Sequence, residues 1–189
     1  MKPENLNSFN TLSNLVGQGK TLVVQSTRMD LNNNTYVSEL WKRSNKEWKK
    51  FKSTCPIPLA GGENLLSDRL LTEAFGWLDY IQPDIGKWGG VDGCFDIAKK
   101  ANISEKVYCP HWLSGGIGLL HSAHVLSAAG GKGLLEIDSN PNPLRTVITE
   151  HLQDLEDSHL LLGTKPGIGI DNPLENLTEY ITDHLSFSS

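Results

Sequence analysis

From about residue 56 onward the chain repeats a single unit: a short apolar run, a turn carrying Gly or Pro, and a stretch with apolar residues near helical spacing. The runs are IPLAGG, LDYIQPDIG, KVYCPHWL and GLLEID, and between them lie LLSDRLLTEAF, VDGCFDIAKKA and GLLHSAHVLSAA. This alternation limits the fold more than any other feature. A helix after each strand carries the chain back to the same end of a sheet, so that the next strand runs parallel to the last. An α/β fold built on a parallel sheet is expected.

The polar residues that close the four runs are Glu63, Asp84, His111 and Glu136, spaced 21, 27 and 25 residues apart. Each interval is close to one βα unit, which would bring all four ionisable groups to one rim, the carboxyl ends of parallel strands where α/β proteins place their chemistry. The stretch VYCPHWLSGGIG shows the pattern locally: an apolar run ends on Pro-His and gives way at once to a glycine-rich turn. Each residue also has a plainer reading. His111 could be a hydrogen-bonded core histidine, Glu63 a cap on the following helix, Asp84 a turn aspartate and Glu136 ordinary loop polarity. His121 and His124, in HSAH, read as packing or surface residues rather than metal ligands. Gly115, Gly116 and Gly118 serve the turn or bring backbone N–H groups to an anion, and both readings stand.

Composition narrows the function classes. With 189 residues, 38% of them apolar, the chain reads as one soluble globular domain with room for a sizeable core. A net charge of −5 with scattered signs gives no reason to expect nucleic acid. The nearest thing to a basic patch, WKRSNKEWKK, reads as a solvated amphipathic helix rather than a stacking surface for bases. GQGKT has Asn14 where a phosphate loop needs glycine, and LVV follows it where a helix should begin. Cys55, Cys94 and Cys109 are odd in number and far apart, so a reducing compartment is expected, without a disulfide framework or a CxxC metal site. No stretch approaches a membrane span, and a cytoplasmic location without membrane partners is expected. In the less regular first 55 residues, KTLVVQSTRMD reads as a strand, LNNNTY as a turn and SELWKRSNKEWKKFK as a helix.

From about residue 55 to 172 the chain resembles the C-terminal barrel of the mandelate racemase and acid-sugar dehydratase branch of the enolase superfamily. The segments PIPLAGGEN, DYIQPDIGKWGG, CPHWLSGGIG, LLEIDSNPNPLR and KPGIGID carry the resemblance, in order and at the right spacing. It implies that Glu63 ends the fifth strand and binds Mg²⁺, and that Asp84, on the sixth, pairs with His111, on the seventh, as an acid/base dyad. Glu136, on the eighth, would hydrogen-bond a substrate carboxylate. Asn64, beside Glu63, and Gly115 stand as candidate substrate contacts. Lys87, three residues after Asp84, does not fill the slot in which the muconate-cycloisomerase branch carries its lysine.

These residue types suit the chemistry. Abstracting a proton α to a carboxylate makes a dianionic intermediate, which a divalent cation and a hydrogen-bond donor stabilise as it forms. Mg²⁺ prefers hard oxygen ligands. A histidine titrates near neutral pH, and an aspartate behind it fixes the ring and favours the charged form. Glu136 donates a hydrogen bond only if protonated, which requires a pKa raised by burial and nearby negative charge. With a hydroxyl on the β-carbon, the expected outcome is dehydration of an acid sugar to a 2-keto-3-deoxy acid; with a second base, racemisation or epimerisation.

The resemblance is incomplete upstream. A full (β/α)8 barrel takes roughly 250 residues. The remaining metal ligands would be Asp30 or Glu39, which stand only nine residues apart, too close for consecutive βα units. The expected architecture is therefore an incomplete (β/α)8 TIM-type barrel, the C-terminal half with strands five to eight over residues 56–189, after an altered or truncated segment at 1–55. Its open edges favour a homo-oligomer. A non-catalytic remnant is the alternative to an enzyme acting on a small-molecule carboxylate.

Overall fold

The structure, a computed structural model, describes residues 22–23, 45–54, 58–149, 159–170, 175–183 and 185. Its centre is a parallel sheet of four short strands, β1 (Leu22–Val23), β2 (Leu59–Gly61), β3 (Tyr80–Ile81) and β4 (Val107–Tyr108), in sequence order across the sheet. The registers are Leu22 with Leu59, Ala60 with Tyr80, and Tyr80 with Val107. Helices α1 (Asn45–Thr54), α2 (Asp68–Ala74), α3 (Gly90–Ile103) and α4 (Gly116–Ala129) alternate with the strands, followed by a short α5 (Pro143–Thr146) and a 3-10 turn over Glu175–Tyr180. The α/β fold read from the repeat is the one observed.

The fourth run, GLLEID, is the exception: it lies beside β4 without forming a strand. Leu134 N–H donates to the Tyr108 carbonyl at 3.3 Å. In a parallel ladder the matching bond would come from the N–H of residue 110, and that residue is proline. β4 faces β3 with the N–H groups of Val107, Cys109 and His111, all satisfied, so the missing donor falls on the GLLEID side alone. Pro110 therefore interrupts the ladder while leaving the β3 side intact.

The core forms where the helices cover the sheet. Leu59, Ile81 and Tyr108 from the strands meet Leu71, Cys94, Ile97 and Val125 from the helices, all buried. Each fully buried large apolar side chain contributes about 1.5–3 kcal/mol. α1 turns Trp48 and Phe51 into this core, and Trp48 stacks on Trp77 with ring centroids 4.7 Å apart and planes within 10°. The amphipathic-helix reading of this segment holds for these residues, since Trp48 presents no surface on which a base could stack. Residues on both sides of position 55 thus share one sheet and one core. A smaller cluster of Leu120, Ile148 and Leu177 ties α4 to the C-terminal part of the chain. Among the described residues no helix is long and apolar enough to cross a membrane.

Candidate active site

Three strand ends supply the site. β3 runs on through Gln82 and Pro83 to Asp84, and β4 through Cys109 and Pro110 to His111, where the two strands meet once more in an isolated parallel bridge between Asp84 and His111. His111 N–H donates to the Pro83 carbonyl at 3.1 Å. Direct neighbours in a bridge put their side chains on one face, and His111 Nδ1 lies 2.9 Å from Asp84 Oδ2. Both residues are buried, at 3% and 6% exposure.

Glu63 reaches the same place by a different route. Strand alternation counted from the Ala60 and Tyr80 pairing would send a residue at 63 to the opposite face. Gly62, at φ 136°, breaks the alternation, and a Cβ there would come within 3.0 Å of the Gln82 backbone. The chain thereby turns Glu63 inwards, and its Oε2 lies 3.6 Å from His111 Nε2. Lys87 closes the group, its ammonium bonded to Glu63 Oε1 and 3.8 Å from Asp84 Oδ2. These residues line a cavity of about 330 Å³ with Trp112, Leu113 and Ser114.

The plainer readings resolve case by case. The helix after Glu63 is capped by Ser67, whose hydroxyl accepts from Leu70 N–H at 3.3 Å, so Glu63 is not its cap. Asp84 is a turn aspartate as well as the partner of His111, since its Oδ1 accepts from Gly86 N–H at 2.9 Å. Half-buried Glu136 accepts from Gln82 Nε2 at 3.3 Å. Asn64 is exposed. The Gly115 carbonyl accepts from the Trp112 indole N–H at 2.7 Å. Gly118 has a packing role: a Cβ there would lie 2.1 Å from the Trp112 ring. His121 Nδ1 bonds the Ile117 carbonyl of its own helix, in keeping with its reading as a packing or surface residue. Asp30 and Glu39 lie outside the described residues.

Electrostatics fit this layout. Burial alone would raise the Asp84 carboxyl, but hydrogen bonds from His111 and the Gly86 N–H, with the Lys87 charge, hold it below the ordinary value of 3.8. For His111, burial opposes protonation, yet the bond to Asp84 and the negative charges of Glu63, Glu136 and Asp84 leave its pKa above the ordinary 6.5. The Asp84 carboxylate accepts from Nδ1–H, which leaves Nε2 as the basic nitrogen whenever the ring is neutral. Nε2 is buried and has no hydrogen-bond partner among the described residues.

The family described as Enolase C-terminal domain-like matches residues 35–175. The chain belongs to the enolase superfamily, in its mandelate racemase branch. It is 31% identical over 123 residues to a D-galactonate dehydratase of Pectobacterium atrosepticum, covering 61% of this chain and 32% of that protein. An arabinonate dehydratase of Saccharolobus solfataricus is 29% identical over 92 residues, 49% of this chain and 24% of the relative. A mandelate racemase/muconate lactonizing enzyme from Bordetella bronchiseptica superposes with a TM-score of 0.71 at 30% identity, over 94% of this chain and 55% of that one. The matches thus span about a quarter to a third of the curated relatives' length.

Enolase-superfamily enzymes generally use Mg²⁺, and the site bears on that unevenly. The carboxylate of Glu63 is the hard-oxygen type such an ion takes. One of its oxygens is held by Lys87, however, and no group of three or more His, Cys, Asp or Glu side chains that could hold a metal gathers among the described residues. As they stand, those residues do not make a Mg²⁺ site. Sequence reasoning also set Lys87 aside. Its signal was the Asp-to-Lys spacing of three in a turn: Lys87 N–H donates to the Asp84 carbonyl at 3.0 Å, which folds the lysine back over the strand ends.

Proposed function

We propose that this site abstracts the proton α to the carboxylate of an acid sugar and expels the β-hydroxyl as water, giving a 2-keto-3-deoxy acid. The observation that carries the reading is the divided state of His111: Nδ1 is bonded to a buried aspartate, and Nε2, beside the cavity, has no hydrogen-bond partner among the described residues. Neutral His111 takes the α-proton on Nε2 while Asp84 stabilises the imidazolium that forms. The same proton is then returned to the β-hydroxyl as its C–O bond breaks, water departs, and the enol left behind tautomerises to the keto acid. Glu136, held by Gln82 at the neighbouring strand end, is the proposed hydrogen-bond partner of the substrate carboxylate, with Asn64 and Gly115 as further contacts. The names of the curated relatives, an arabinonate and a galactonate dehydratase, support an aldonate as the substrate class.

In this proposal β2, β3 and β4 correspond to the fifth, sixth and seventh strands of a (β/α)8 barrel. Segment 56–189 carries the site residues named above. Glu63 is the residue that the family resemblance assigns to magnesium, and here one of its oxygens is held by Lys87.

The test is turnover of a panel of aldonates, read as 2-keto-3-deoxy acid, by the chain and its His111→Asn variant. Loss of about 10²-fold or more with an unchanged melting temperature is expected; an unchanged rate would refute the assignment.

A further inference from the structure

Glu136 stands at the strand end that the sheet does not fix. Pro110 interrupts the ladder beside GLLEID and no strand forms over 133–138, so the position of Glu136 depends on ties made elsewhere. Downstream of it the chain is irregular and exposed at Ser139, Asn140 and Pro141, yet this loop closes on a buried charge. Arg145, in α5, is 8% exposed. Its guanidinium donates from Nη1 to Asp138 Oδ2 at 3.4 Å and from Nη2 to the Asn140 carbonyl. Asp138 Oδ1 accepts from the N–H and the side-chain amide of Asn140, at 3.0 and 2.7 Å. One planar fork thus grips two points of the loop at once, a geometry that an ammonium does not reproduce. A buried ion pair adds little net stability over apolar packing of the same volume, so what the fork supplies is one defined loop conformation. The same element reaches the other side of the site. A Cβ at Gly115 would lie 3.5 Å from Leu144 Cβ, and one at Gly116 2.6 Å from Ile148 Cβ, so α5 and the residues after it press against the glycine-rich turn that follows His111.

We infer that Arg145 is a positioning residue, whose guanidinium fixes the loop after GLLEID and so holds Glu136 at the rim where the substrate carboxylate binds. The inference rests on the reading of Glu136 as the partner of that carboxylate. Arg145 touches no reacting atom and acts through Glu136, so the two residues should be coupled in substrate binding.

The test is a double-mutant cycle on the full chain, with galactonate and arabinonate as probes and KM, kcat and the melting temperature as readouts. Arg145→Lys keeps the charge beside Asp138 and loses the fork. It is expected to raise KM about tenfold with kcat nearly unchanged, and to have no further effect in a Glu136→Ala background. Lys52→Met is the control for stability alone: Lys52 is bonded to Asp79, which also accepts from Leu59 N–H, at the starting ends of β2 and β3. This variant is expected to melt lower with KM unchanged. If Glu136→Ala raises KM but Arg145→Lys does not, the reading of Glu136 survives and the positioning inference fails. An equal rise from Arg145→Lys in both backgrounds also overturns it, since the effect would not pass through Glu136. KM unaffected by Glu136→Ala, or no turnover of either aldonate by the parent chain, overturns both. Asp138→Asn, which weakens the same fork from its other end, replaces Arg145→Lys if the latter does not melt cooperatively.

Discussion

At His111 Nδ1 is bonded to Asp84 while Nε2 has no hydrogen-bond partner among the described residues, and in the proposed reaction this sets opposite pH dependences for stability and for chemistry. Asp84 is depressed below 3.8, so its contribution to stability is complete above that value and is lost as pH falls through its folded pKa. His111 is raised above 6.5, so its contribution is complete below that value and is lost as pH rises through its folded pKa. The pair therefore stabilises the fold most between about pH 4 and 6.5. Thermal melts across pH should show Asp84→Asn furthest below the parent chain in that window, with the gap narrowing towards pH 9; a gap constant with pH would contradict the pairing. In the proposed reaction proton abstraction needs neutral His111, so the rate is expected instead to rise with pH through the raised pKa. Spacing along the chain was enough to bring Asp84, His111 and Glu63 to one rim. It could not disclose Gly62's role in turning Glu63 inwards, because the alternation rule alone points Glu63 the other way. It also hid Lys87, whose reach depends on the turn after Asp84 rather than on its own position.

Strands and helices were legible wherever a run of sequence could settle its own hydrogen bonds. The runs around Leu59, Tyr80 and Val107 became strands, and the helical stretches after them formed with ends shifted by a few residues, for instance to the Ser67 cap of α2. GLLEID failed for a reason outside itself, in Pro110 on the adjoining strand. α4 depends on another cross-element fit, since the Trp112 ring occupies the space that any side chain at 118 would need. Gly118→Ala forces that indole to move, and overpacking of this kind costs about 1–3 kcal/mol. For a chain of this size each kcal/mol lowers the melting temperature by roughly 2–4 °C. Because Trp112 lines the cavity, the same change should also weaken substrate binding; an unaltered melt would show that the ring is not held as described.

The whole molecule joins a core that crosses position 55 to a site drawn from three strand ends. Its family is shown by a match over residues 35–175, while the site rests on the geometry of Glu63, Asp84 and His111. That division follows from the physics. A parallel sheet is encoded redundantly in a repeated pattern, whereas a metal site depends on a few ligands, and the candidates Asp30 and Glu39 lie outside the described residues. In the proposed reaction His111 abstracts the α-proton, a step that can be read without the rest of the reaction. The direct measurement is exchange of the α-hydrogen of aldonates for deuterium in D₂O, followed by proton NMR with Mg²⁺ present, in the chain and in His111→Asn. Exchange or deuterium-labelled product in the chain, absent from the variant, is the predicted result. Equal exchange in both, or none in the chain with any aldonate, would contradict the account.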